Sequence, residues 1–364
     1  MGGRWDGGRT GFLELNVDSP VSSLSAFLGI NNTTSYLLDP RMGASIGLEE
    51  GDPPALVDAL SSLVRSVVAR ASEALPWASL TPSVQYGQES AYFFDDHRFA
   101  GRLLAQLADP TPVIPLIHQA GAYNPLHPDF AEVLRSNAYK SASWGQPHLV
   151  VHLPVSREDQ MDATVGAVTA PEVTDVLLET GVKVALENNH HASFFGYLDN
   201  FSEFFDRVGE VLRDDGREEV LRFIGACYDH GHLVAHGQQV GADLGEIRRS
   251  LLRFLAEKGH LVSVVHVHVN DGAWDHHLFL GERPPAGATF HGHPLDFDRL
   301  EANEALLLEA LPMLSCPLDP PRAFVVEKDH PYAVEDAWRN YELLLGALAG
   351  RRVALTKKED AFQN

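Results

Sequence analysis

The sequence predicts a single (β/α)8 barrel over residues 11–350, and three observations predict it. Eight short apolar runs rich in Val, Ile and Leu recur along the chain, amphipathic stretches separate them, and the composition does not break in between. Near-continuous apolar runs are what strands buried on both faces of a parallel sheet require. Alternation of β and α in one stretch of chain indicates an α/β domain, and a count of eight favours a closed barrel over an open sheet.

In chain order the runs are Gly11–Val17, Ala78–Gln85, Pro112–His118, His148–His152, Val182–Glu187, Phe223–Asp229, Leu261–His268 and Ala323–Glu327. The helical stretches between and after them include Ala55–Ala74, Asp129–Ser143, Asn200–Arg213, Gly245–Glu257 and Val334–Leu348. Two connections exceed ordinary loop length: residues 18–52 after the first run and 269–296 after the seventh. Long connections inside a compact domain usually carry function. In a barrel both would lie at the carboxyl ends of the strands, where barrel enzymes work. Residues 1–10 and 351–364 are expected to be loose tails.

Composition narrows the class. With 45% hydrophobic and 21% charged residues the chain reads as an ordinary globular protein. It has no run of 18 apolar residues and no apolar leader, so neither a membrane span nor a signal peptide is expected. Two cysteines, Cys227 and Cys316, leave no disulfide framework and no thiolate zinc site, which suits a reducing cytoplasm. A formal charge of −22 argues against generic nucleic-acid binding, because phosphate contacts need Lys and Arg. A local cluster of cations can nevertheless reverse the field where it matters. The 18 histidines, in an acidic and cysteine-poor chain, point to hard or borderline divalent metals.

The positions of those side chains carry the reading. Six consecutive runs finish on a ligand-type residue: His118, His152, Glu187, Asp229, His268 and Glu327. The spacing is 34 residues from His118 to His152, 35 to Glu187, 42 to Asp229 and 39 to His268, close to one βα unit each. The last interval, 59 residues to Glu327, is longer by about the 269–296 loop. Each interval returns the chain to the same end of the barrel. A lone His at a strand end is more often a hydrogen-bonded boundary residue than a ligand. Six in register are different, because carboxylates and imidazoles buried together without cations cost several kcal/mol each in desolvation.

Three further residues extend the set: His232, three positions after Asp229, and the Asp275-His276-His277 loop that offers Asp275 and His277. Read alone, that loop would be solvated. His266 shares a strand face with His268 and reads as a core or supporting residue, and Cys227 as a packed thiol. His190, His191, His291 and His293 read as surface or loop histidines, with a loop position that leaves contact with substrate open.

These residues resemble endonuclease IV, a family of the xylose isomerase-like barrel superfamily. The resemblance runs from about residue 112 to 330 and rests on His118…Asn124-Pro-Leu-His127-Pro128, Leu186-Glu187-Asn188, Asp229-x-Gly231-His232, His268-Val-Asn270-Asp271 and Asp275-x-His277 followed by Leu280-Gly281. It implies three zinc-type ions, with Mn, Fe, Co or Mg as other divalent occupants. His118, His152 and Glu187 would hold one. Asp229, His268 and Glu327 would hold a second, with Glu187 bridging to the first. The third would fall to His232, Asp275 and His277. Gly121 stands where that family carries an aromatic wedge for opening DNA, and residues 18–52 do not resemble its DNA-penetrating first loops.

Charge suggests the chemistry. Four carboxylates against three divalent ions leave about +2, a cavity for an anion. Metals sharing Glu187 would lower the pKa of a bridging water towards neutrality and so make a nucleophile. That arrangement suits hydrolysis of a phosphoester or phosphodiester, with Glu187 and Glu327 as the catalytic carboxylates and a phosphorylated small molecule or damaged DNA as substrate. The alternative is a sugar isomerase or epimerase of the same superfamily, using Glu187, Asp229, His268 and Glu327 on one ion.

Overall fold

Eight parallel strands close on themselves in the order expected of consecutive βα units. They are β1 (Leu24–Asn32), β2 (Ala78–Gly87), β3 (Ile114–Gln119), β4 (His148–His152), β5 (Lys183–Glu187), β6 (Ile224–Asp229), β7 (Val262–Val267) and β8 (Arg322–Val326). β1 pairs with both β2 and β8, which completes the ring. The structure, a computed structural model, describes residues 24–32, 53–76, 78–87, 97–190, 192–285, 287–290, 293–328 and 334–349.

The first strand is not the one expected. Gly11–Val17 lies outside the described residues, as do the expected tails 1–10 and 351–364, and the place between β2 and β8 is taken by Leu24–Asn32. Its sequence, with Ser25, Gly29 and two terminal Asn residues, carries a weak strand signal. Gly29 has a reason: a Cβ there would sit 3.2 Å from the backbone oxygen of Ser83, so the close approach of β1 to β2 favours glycine. Residues 24–32 of the expected 18–52 connection are therefore part of the barrel wall. The remaining runs match strands to within two residues at each end.

The helices form the outer layer. Five of them, α1 (Pro53–Ala74), α2 (His97–Leu107), α3 (Phe130–Ser143), α4 (Met161–Thr169) and α5 (Pro171–Thr180), precede β5. The others are α6 (Leu198–Asp214), α7 (His230–Gln239), α8 (Leu244–Lys258), α9 (Phe297–Ala310) and α10 (Val334–Leu348). In α6, Phe201, Phe204, Phe205, Val208 and Leu212 repeat at the three- and four-residue spacing of one helix face, and all are buried. Asp243 and Glu246 cap α8 reciprocally, each side chain accepting from the other's backbone N–H. Between β7 and α9, Val269 pairs with Leu278 and a small hairpin joins Thr289–Phe290 to His293–Pro294.

Period-two alternation positions the site. The barrel interior is packed by Phe27, Leu116, Val150, Ala185, Cys227, Val264, Ala323 and Val325. Two residues further along their strands, facing the same way, come His118, His152, Glu187, Asp229, His266 and Glu327. A polar layer thus lies directly on an apolar one, at the carboxyl ends of the strands. A register shift between Ala226 and Cys227 sets Asp229 level with His266, leaving His268 one layer above.

Two fully buried histidines away from this layer's centre make the fold acid-sensitive. His148, at the start of β4, donates from Nε2 to the carbonyl of Pro321 (2.7 Å). His230 donates from Nε2 to the carbonyl of Asn303 (2.9 Å) and accepts the Tyr228 hydroxyl at Nδ1 (2.6 Å), so it is held neutral. Burial pushes each down to about 4. The unfolded chain protonates these groups near pH 6.5 and the folded chain does not. Their stabilisation is therefore complete above pH 6.5 and lost as pH falls towards 4, at up to about 1.4 kcal/mol per pH unit per group. Chelator-treated protein is expected to melt at progressively lower temperature across that window in calorimetry. His148→Gln is expected to flatten the dependence.

Candidate metal centre

The inner part of the polar layer is built from the ends of six strands, β3 to β8, and the first turn of α7. His268 Nε2 lies 3.0 Å from both Asp229 carboxylate oxygens and 3.8 Å from Glu327 Oε2. His118 Nε2 meets Glu187 Oε2 at 2.8 Å, and His152 Nδ1 stands 3.7 Å from the same oxygen. His232 Nδ1 is 3.3 Å from Glu187 Oε1 and is bonded to the Asn188 carbonyl at 2.8 Å. Glu187, Asp229 and His268 are at most 1% exposed, and Glu327 is 5% exposed.

The loop after β7 brings the outer part. Asp275 Oδ2 is 3.1 Å from His232 Nε2 and 3.5 Å from His277 Nε2, while His277 Nδ1 is 4.0 Å from Glu327 Oε2. His277 thus stands between Asp275 and Glu327. Local bonds fix the frame: Asn188 donates to the Asp229 carbonyl (2.9 Å) and accepts its N–H (2.8 Å), and Asp229 caps α7 by accepting from His232 N (2.7 Å). All nine predicted residues therefore meet at one mouth of the barrel. Three donor atoms lie mutually within 4.8 Å in the sets His118/His152/Glu187, Glu187/Asp229/His232 and His268/His277/Glu327.

Three more side chains line this site: one read from sequence as supporting, one not singled out, and one read as a surface or loop residue. His266 lies beneath it, its Nδ1 3.1 Å from Glu187 Oε1, 3.2 Å from Asp229 Oδ2 and 3.6 Å from Glu327 Oε1. Gln85, the polar end of the second predicted run, donates to Glu327 (2.9 Å) and presents Oε1 to His266 Nε2 at 3.0 Å. His190, read as a surface or loop residue, stands in the loop after β5 at the mouth, with Nε2 3.8 Å from Asp275 Oδ2. His191 and His291 lie outside the described residues. Asn124 and His127 of the third-strand motif build a turn, accepting the N–H groups of Leu126 and Asp129 respectively. Gly121 begins that turn next to His152.

The electrostatics follow from burial against close opposite charge. Burial alone would raise the Glu187 carboxyl, but His152, His266 and His118 more than offset it and hold it well below the usual carboxylate range. Asp229 and Asp275 behave alike: burial is outweighed by His232 and His268 for the first, and by His232 and His277 for the second. Burial, reinforced by three neighbouring imidazoles and only partly offset by Glu187, pushes His152 down to about 4. Burial also opposes charge on His232 and His277, yet the adjacent carboxylates raise both above 6.5.

The donor set fits divalent cations. Carboxylates and imidazoles without thiolate suit zinc and its harder neighbours, and Asp275 Oδ1 is buried without a hydrogen-bond partner. An ion would displace the protons on His232 and His277, so uptake releases protons and tightens as pH rises.

The closed eight-stranded parallel barrel is a fold shared with solved xylose isomerase-like TIM barrels. Similar solved structures include the IolI protein with a bound zinc atom (14% identity, TM-score 0.53, covering 90% of this chain and 99% of that one). A D-tagatose 3-epimerase-like protein aligns at 13% identity and TM-score 0.50, covering 88% and 96%. A xylose isomerase-like TIM-barrel protein from Mycobacterium smegmatis in complex with magnesium aligns at 12% and 0.50, covering 93% and 100%. No family model matches the chain, and no curated protein matches its sequence.

Proposed function

We propose that the protein is a metal-dependent isomerase or epimerase acting on a sugar-like small molecule, with Glu187 and Glu327 as the proton-transferring groups. One observation carries this reading. The two carboxylates come from β5 and β8, yet both reach Nδ1 of His266, at 3.1 and 3.6 Å, so they bracket one small buried space. A divalent ion held by Glu187, Asp229, His268 and Glu327 supplies Lewis acidity towards a substrate carbonyl or hydroxyl oxygen.

The chain's own groups do the rest. One glutamate takes a proton from the carbon beside the carbonyl, and the other returns one to the opposite face or to the neighbouring carbon. Such paired carboxylates need proton affinities tuned by their surroundings. Gln85 and His266 supply that tuning: Gln85 orients Glu327, and His266 donates to Gln85 through Nε2 and to the carboxylates through Nδ1. Three carboxylates facing one divalent ion leave about −1, offset by a doubly protonated His266, which suits a neutral polyol over a polyanion. The names of the similar structures, an epimerase-like protein and a xylose isomerase-like protein, support the same class.

Incubation of the metal-loaded chain with a panel of ketoses in D2O tests this. Deuterium is expected at the carbon beside the carbonyl for at least one ketose, and Glu327→Gln is expected to remove it. Absence of exchange across the panel counts against the reading.

Phosphoester hydrolysis, the first expectation from sequence, keeps one observation in its favour: His118, His152, His232, Asp275 and His277 adjoin the inner quartet, more donors than proton shuttling needs. Against DNA as its substrate stand the net charge of −22 and Gly121 at the wedge position. Release of phosphate from sugar phosphates, or cleavage of an abasic-site duplex, by the metal-loaded chain would favour it.

A further inference from the structure

We propose that the outer metal position is closed by four protein groups, His190, His232, His277 and Asp275, and that His190 is its fourth ligand. The resemblance to endonuclease IV implies three of these, His232, Asp275 and His277, and the geometry adds the fourth.

The local sequence aims His190 at the site. β5 ends at Glu187, and the two asparagines that follow are tied down. Asn188 bridges to Asp229, and Asn189 donates to the carbonyls of Leu153 (2.7 Å) and Pro154 (3.1 Å). The backbone cannot swing away, so the residue three after Glu187 is carried over the mouth. There the His190 ring packs edge-on to His232, centroids 4.6 Å apart.

The distances match a coordination shell. Three imidazole Nε2 atoms surround one oxygen, Asp275 Oδ2: His232 at 3.1 Å, His277 at 3.5 Å and His190 at 3.8 Å. Zinc–nitrogen and zinc–oxygen bonds of about 2.0–2.1 Å put the ligand atoms of a tetrahedron about 3.3 Å apart. The donors of His190, His232 and Asp275 also lie mutually within 4.8 Å. Tautomers agree: the bond from His232 Nδ1 to the Asn188 carbonyl leaves the Nε2 lone pair, beside Asp275, to bind an ion.

The chemical consequence is a division of labour. Zinc with four protein ligands is structural, whereas a catalytic ion keeps a place for water or substrate. The outer ion would clamp the turns after β5, β6 and β7 together, and substrate would bind at the inner quartet alone. This assignment stands whichever reaction the inner quartet performs.

Zinc titration of the demetallated full-length chain against a chromophoric chelator tests it, with circular dichroism as a control for folding. In His190→Ala the affinity of one ion is expected to fall by about 10- to 100-fold or more, the other ions keeping theirs. Cobalt(II) in the wild type is expected to show the intense visible bands of a four-coordinate site at this position, weakened in the variant. Unchanged zinc affinity and cobalt spectrum in folded His190→Ala overturns the proposal. So does a wild-type stoichiometry that Asp275→Asn leaves unaltered. Either result leaves deuterium exchange at the inner quartet intact, whereas failure of that exchange with a normal zinc titration overturns the isomerase reading and spares this one.

Discussion

Glu187→Ala is expected to lower activity by more than about 1,000-fold and to strip bound metal, because its carboxylate stands between imidazoles from four different elements. Its two oxygens reach His118, His152, His232 and His266 at 2.8 to 3.7 Å. Removing it leaves four imidazoles facing each other without their shared counter-charge, and leaves an ion without the carboxylate that would join the inner and outer donors. A loss of more than about 4 kcal/mol in transition-state stabilisation corresponds to that rate. Metal analysis of the purified variant and a deuterium-exchange assay check it, with circular dichroism showing the barrel intact. Full metal content with near-normal exchange would remove Glu187 from the centre.

Gly231→Ala is expected to cost about 3 kcal/mol of stability and to eject His268 from its place. A Cβ on Gly231 would collide with Cε1 and Nδ1 of His268, a fully buried ring with no room to turn. Overpacking a tight interior costs typically 1–3 kcal/mol, and here the displaced group also holds Asp229 at 3.0 Å. The motif Asp229-x-Gly231-His232 thus has a steric reason for its glycine besides the two polar residues. Thermal melts with and without zinc check it: the zinc-induced rise in melting temperature should shrink. An alanine variant that melts and binds zinc like the wild type would refute the packing argument.

The barrel was legible where strands are buried on both faces and end on a polar side chain. β3 to β8 announce themselves by runs such as Leu149-Val-Val-His152 and Val184-Ala-Leu-Glu187, and period two then fixes the direction of the last residue. β1 was not legible. Its strand character comes from pairing on both sides with β2 and β8, and local composition, with Ser25 and Gly29, hides it. Gln85 went unnoticed because an amide at a strand end signals neither metal nor charge, although it ends its run as the ligand candidates end theirs. The place of His190 at the mouth was not legible, because spacing along the chain does not show that Asn188 and Asn189 pin the turn.

The segment carrying Asp275 and His277 runs into residues held from outside the mouth. Lys328 grips both oxygens of Glu282 (2.6 and 2.7 Å), Glu282 accepts the N–H of Phe279 (2.9 Å), Asn340 accepts that of Leu280 (2.7 Å), and buried Glu304 accepts that of Gly281. These restraints belong to the folded chain alone. The ordering of a long connection is completed during folding, so an arriving cation meets donors already arrayed and is not opposed by the entropy of gathering them. Loosening that scaffold would weaken cation capture without altering a single coordinating group.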